Sequence, residues 1–147
     1  MKTRPDRRHL LALAGGVLLA PLSATAAEGQ KVVVPDPPPG KGQIVFFRRW
    51  YYGGGANTYM VREGERGIGR LPNANYFIVT VDPGWHTYWA LAEQRKYMQI
   101  EIEANETYYV MLELGTGVFL YQPELTPTEQ RAFDEISEKL TRSAPVD

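Results

Sequence analysis

The chain has 147 residues, a single-domain length, and 44% hydrophobic with 22% charged residues is the composition of a globular protein with one core. It has no cysteine and two histidines, His9 and His86, which excludes disulfide frameworks, thiolate nucleophiles and Cys-ligated metals and leaves little material for a multi-histidine zinc site. The formal net charge is −1, but the first 27 residues hold four cations (Lys2, Arg4, Arg7, Arg8) and one acid (Asp6), so the remainder carries −4. That balance argues against nucleic acid or an anionic membrane surface as the main partner.

Residues 1–27 read as a cleavable signal peptide: a basic start, an apolar run from Leu10 to Ala20, and the small residues Ser23 to Ala27, with cleavage after Ala26 or Ala27. The apolar run is too short for a bilayer span of roughly 20 residues, so the mature protein is expected in the periplasm or outside the cell, with no membrane insertion. Asp6-Arg7-Arg8-His9-Leu10-Leu11 resembles a twin-arginine export signal, with the general export route as the alternative. Residues 28–41, with Pro35, Pro37, Pro38 and Pro39, predict an extended polyproline-type leader that acts as a spacer or, alternatively, as a proline-rich recognition motif.

The period of two then begins. Gln43 to Tyr51 is apolar on both faces, the mark of a central or covered strand, with Arg48 and Arg49 at its far end reaching solvent. Tyr52-Gly53-Gly54-Gly55-Ala56 is a glycine loop; no Lys-Ser/Thr pair follows it, so it is not a phosphate loop. Short strands at Thr58–Arg62 and Ile68–Leu71 flank the turn Glu63 to Gly67. The stretch Asn75 to Ala92 reads as a β-hairpin, two alternating segments about Asp82-Pro83-Gly84, with Phe46, Trp85 and Trp89 assigned to the core. Tyr97–Ala104 alternates with Met98, Ile100 and Ile102 inward and Gln99, Glu101 and Glu103 in water. Thr107–Leu114 and Val118–Gln122 complete about seven strands of a small antiparallel sandwich over residues 42–124.

In residues 125–147 the period changes. Thr126-Pro127-Thr128-Glu129 has the form of a capping box with proline at the first helical position. Phe133, Ile136 and Leu140 form one apolar stripe, so an amphipathic helix of about 15 residues is expected to lie on an outer sheet face or, alternatively, to dock a partner.

The order Val45-Phe46-Phe47-Arg48, Gly67-Ile68-Gly69-Arg70-Leu71, Tyr76, Pro83-Gly84-Trp85-His86 and Thr107-Tyr108-Tyr109-Val110 resembles a bacterial envelope family catalogued as domain of unknown function 2846. The resemblance covers about residues 42–122 and implies an envelope β-sandwich akin to PEGA and transthyretin-like modules. It brings no catalytic residues. Members are often lipoproteins, whereas this cysteine-free chain is expected to be untethered.

No enzyme constellation and no cofactor motif emerges. His86 lacks a recognisable partner acid or hydroxyl nucleophile, and Glu101 with Glu103, about 7 Å apart on a wet strand face, fit solvation better than a glycosidase pair. The expected contact surface is the aromatic and basic set around the glycine loop, Arg48, Arg49, Trp50, Tyr51, Tyr52 and Tyr59. The function expected is a non-enzymatic periplasmic binding or interaction module for an envelope protein or glycan. A purely structural envelope domain and a hydrolase are the alternatives.

Overall fold

The structure, a computed structural model, describes residues 29–115 and 121–146. The expected signal peptide lies outside the described residues, as does most of the strand expected at Val118–Gln122, whose described residues Tyr121 and Gln122 are not in a strand.

In chain order the elements are β1 (Gly42–Arg48), β2 (Tyr59–Glu63), β3 (Arg66–Leu71), β4 (Asn75–Val81), β5 (Gly84–Ala90), β6 (Tyr97–Ile102), β7 (Thr107–Leu114), β8 (Pro123–Thr128), the short helix α1 (Gln130–Asp134), a 3₁₀ turn (Ser137–Lys139) and β9 (Thr141–Arg142). They form a sandwich of a five-stranded sheet, β8-β7-β1-β4-β9, and a four-stranded sheet, β3-β2-β5-β6. The all-β sandwich expected from alternation is the architecture found, with parallel pairs β1–β7 and β4–β9 among the antiparallel ones.

β1 is buried along its whole length, because its two faces serve two cores. Ile44 and Phe46 point between the sheets with Val61, Leu71, Phe77, Tyr88 and Leu112. Val45 and Phe47 point to the outer face, where Tyr76, Tyr109 and Phe133 join them. The sheets approach closely beside Gly69, where a Cβ would fall 2.5 Å from the Phe77 ring.

The stretch Asn75 to Ala92 is not a hairpin. β4 pairs with β1 in one sheet and β5 pairs with β2 and β6 in the other, so Asp82 and Pro83 carry the chain across the sandwich as an arch. A type I′ hairpin turn needs positive φ at both central residues, which the proline ring forbids, and a type II′ turn needs it at the first, where glycine is preferred to Asp82. Gly84, at φ 129°, completes the crossing.

The C-terminal segment departs from expectation in a second way. Residues 123–128 are an edge strand, with Pro123 and Leu125 buried, and the capping pattern is unused: Glu129 precedes the helix without a side-chain cap. An edge strand tolerates Pro123 and Pro127 because one side of its backbone needs no ladder partner. The helix has 5 residues instead of about 15, yet it lies where its apolar stripe required, on the outer face of the five-stranded sheet. The leader docks there too: Val32 and Val34 pack against the same cluster, and the Val32 amide donates to Ser137 Oγ at 3.3 Å. It is a covering strap rather than a free spacer.

Candidate functional site

The first candidate lies where β1 ends. Arg48, expected to reach solvent, is fully buried. Its guanidinium donates to the carbonyls of Asn57 (2.6 Å), Gly54 (2.9 Å) and Leu71 (3.2 Å) and lies 4.9 Å from the Tyr59 ring. Burial lowers its pKa from the ordinary value, opposed by Tyr59 and Tyr51. The cause of the burial is the glycine loop, which folds back over the strand end with Gly54 at φ 72°; a Cβ there would sit 2.6 Å from the Tyr121 ring. Tyr59, also expected at the contact surface, is buried, and its hydroxyl donates to the Tyr121 carbonyl at 2.8 Å. Arg48 and Tyr59 therefore hold the loop and do not line a surface.

Asn73 adds a second clamp. Its side chain accepts from the Tyr51 amide and donates to the Tyr51 carbonyl, both at 2.8 Å, and Tyr51 is half-buried. What remains outside is Trp50, 62% exposed, and Tyr52, 92% exposed, with ring centroids 6.2 Å apart. Arg49 is exposed beside them, its Nη2 3.6 Å from Met111 Sδ.

The second candidate lies at the opposite end of β1. The register Glu63↔Tyr88 between β2 and β5 brings Glu63 beside His86, whose Nδ1 lies 2.5 Å from Glu63 Oε1. The other ring nitrogen lies 2.7 Å from the Asp82 carbonyl. The partner acid absent from the sequence reading is thus Glu63, supplied by strand pairing from a residue assigned to a turn. Lys41 pairs with the Asp82 carboxylate at the rim and helps hold that carboxyl below its usual range.

Both groups facing His86 are acceptors, so the geometry favours the imidazolium, the form that donates at both nitrogens. Burial lowers its pKa, but the hydrogen bonds to Glu63 and to the Asp82 carbonyl outweigh that, and the net shift is upward. No ring nitrogen is left as a base. Thr80 lines the same cleft of about 190 Å³, but both His86 nitrogens are engaged elsewhere, by Glu63 and by the Asp82 carbonyl.

A raised folded-state pKa fixes the sign of a pH effect. The stability His86 contributes is present in full below its unfolded pKa of about 6.5 and is lost as pH rises through the higher folded value. Urea denaturation from pH 5.5 to 8.5 should therefore show a fall in the stability difference between wild type and His86→Gln; a difference flat across that range would show that the His86–Glu63 ion pair does not stabilise the fold.

A third set of rings lies on the outer face of the four-stranded sheet. Trp85, assigned to the core by alternation, is 69% exposed, because Tyr88 and Ala90 are the β5 residues that face inward and the opposite face has no covering layer. Trp89 shares Trp85's face yet is buried, under the guanidinium groups of Arg95 (4.5 Å) and Arg62 (5.6 Å), with its indole donating to the Gly64 carbonyl at 2.8 Å. Phe46 is in the inter-sheet core, as alternation placed it.

Among the described residues no helix is long and apolar enough to cross a membrane, and no group of three or more His, Asp or Glu side chains converges on a metal-sized space. Comparison with known protein families, with curated proteins and with solved structures finds no match.

Proposed function

We propose that the protein is an exported, non-enzymatic interaction module of the cell envelope that presents Trp50 and Tyr52, flanked by Arg49, to an envelope protein or a glycan. One observation carries this reading: two large, highly exposed rings stand on a backbone locked by the buried Arg48 fork and the Asn73 clamp. Aromatic side chains are favoured binding anchors, and a backbone fixed before binding avoids the entropy of ordering it. The export pattern of residues 1–27 and the resemblance to an envelope family agree with this reading.

Docking through the C-terminal helix has less in its favour, since Phe133 is spent on the protein's own sheet. Hydrolysis has less still, with both His86 nitrogens engaged.

The test is the double substitution Trp50→Ala with Tyr52→Ala, assayed for retention of the purified protein on isolated envelope glycan and for cross-linking to envelope proteins. Binding should fall roughly tenfold or more, as for loss of a hot spot, while folding stability changes by about 0.5 kcal/mol or less, as for exposed residues. Full retention by the double variant in both assays, or a large loss of stability, would refute the platform.

A further inference from the structure

The sandwich is open along one side, where β4 of one sheet faces β3 of the other. The C-terminal segment fills half of this seam: the Ser143 amide donates to the Tyr76 carbonyl (2.8 Å), the Val146 amide to the Ile68 carbonyl (3.0 Å), and Pro145 bridges to Gly69. The other half is a cleft of about 320 Å³, within the size range of small-ligand pockets. Ile68, Val79 and Val81 supply apolar wall; Glu63, Arg66 and Tyr88 supply its polar end.

Tyr88 is the telling residue. Its side chain is fully buried, with the ring stacked on His86 at 5.9 Å and set edge-on against Phe46 at 5.2 Å. Its hydroxyl lines the cleft near the Glu63 carboxylate but makes no hydrogen bond of normal geometry. Burial, then the charge of Glu63 and the approach of its carboxylate to the hydroxyl, keeps that hydroxyl protonated, so it has a hydrogen to donate. The Glu63 carboxylate beside it is already engaged by His86, so the buried hydroxyl lacks a well-placed acceptor, and a bound group that accepts from it removes that cost.

The charges choose the group. Glu63 is engaged by His86, and Arg66 is 3.8 Å from Glu63 with its side chain 73% exposed at the mouth. With His86 protonated, Lys41, Arg66 and His86 outnumber Glu63 and Asp82 by one charge around this cleft and the one that adjoins it at Glu63 and Arg66. Two donors, one of them cationic, at the end of an apolar trough select an anionic acceptor on an aliphatic body.

We propose that this cleft binds a small carboxylic acid with a short aliphatic chain, its carboxylate held by the Tyr88 hydroxyl and Arg66 and its chain lying along Ile68, Val79 and Val81. The site is independent of the Trp50–Tyr52 surface at the other end of β1.

Butanoate, hexanoate and octanoate, titrated into the full-length protein and followed by the methyl resonances of Ile68, Val79 and Val81, test the proposal. At least one acid should give saturable shifts, with hexylamine, which matches hexanoate in chain length but carries the opposite charge, giving none. Tyr88→Phe, which keeps the ring, and Arg66→Gln should each weaken the acid roughly tenfold while leaving the rest of the spectrum in place. The proposal is overturned by shifts that fail to saturate for all three acids, by equal binding of hexylamine, or by unchanged affinity in both variants. Silence toward the acids, with an extended peptide instead shifting the Ile78 and Thr80 amides, also overturns it in favour of strand addition to β4.

Discussion

Phe133→Ala will lower the unfolding free energy by about 3–5 kcal/mol, the range for a phenylalanine removed from a packed core. Phe133 is the only fully buried apolar residue of α1, and its ring meets Phe47 at 5.3 Å, Tyr76 at 5.5 Å and Tyr109 at 5.6 Å. A helix of 5 residues has no stability of its own, so the segment is held by this contact and by Ile136 and Leu140 beside it. Truncation leaves a cavity over β1 and β7 and loosens the strap, since Val32 and Val34 pack on the same cluster. Urea denaturation gives the magnitude, and a Phe133→Leu variant should recover most of it. A loss under about 1 kcal/mol for the alanine variant would mean that this cluster is not a second core. The same segment would then be free to serve a partner.

Arg48→Lys will cost about 3 kcal/mol although the charge is kept. A planar guanidinium reaches three carbonyls at once, whereas an ammonium on a flexible stem is a point donor with a strong preference for water. Hydrogen bonds to a charged group are worth about 1.5–3 kcal/mol each, and each buried carbonyl left without a donor adds a desolvation penalty. The loss should be local before it is global: amide exchange at Asn57, whose N–H bonds the Gly54 carbonyl at 3.2 Å, should accelerate ahead of the strands. The binding proposed for Trp50 and Tyr52 should weaken as well, although Arg48 itself is buried. Wild-type stability and wild-type exchange in the lysine variant would disprove the pin.

The candidate site was legible in part. Trp50 and Tyr52 stand out in the sequence as rings beside flexible glycines, and they are exposed. Arg48 and Tyr59 belong to the same constellation by sequence but act from below, because nothing local says that the loop folds back over the strand end. Glu63 and Tyr88 were illegible as a pair: they lie 25 residues apart and become neighbours only through the register of β2 with β5. The buried Tyr88 hydroxyl has no sequence signal at all, since an inward-facing tyrosine on a strand is ordinarily read as core.

The sequence by itself determined where most of the strands lie, that β1 is covered on both faces, and that an apolar stripe in the C-terminal segment must find cover. These follow from local alternation and from the cost of exposing apolar side chains, which are properties of neighbouring residues. Tertiary structure alone decided which edge each strand took. It made Asp82-Pro83-Gly84 an arch between sheets, turned the Thr126–Thr128 capping pattern into an edge strand, and left Trp85 facing outward. Alternation gives a strand two faces but does not say which one another layer will cover, and that choice rests on contacts far apart in the chain.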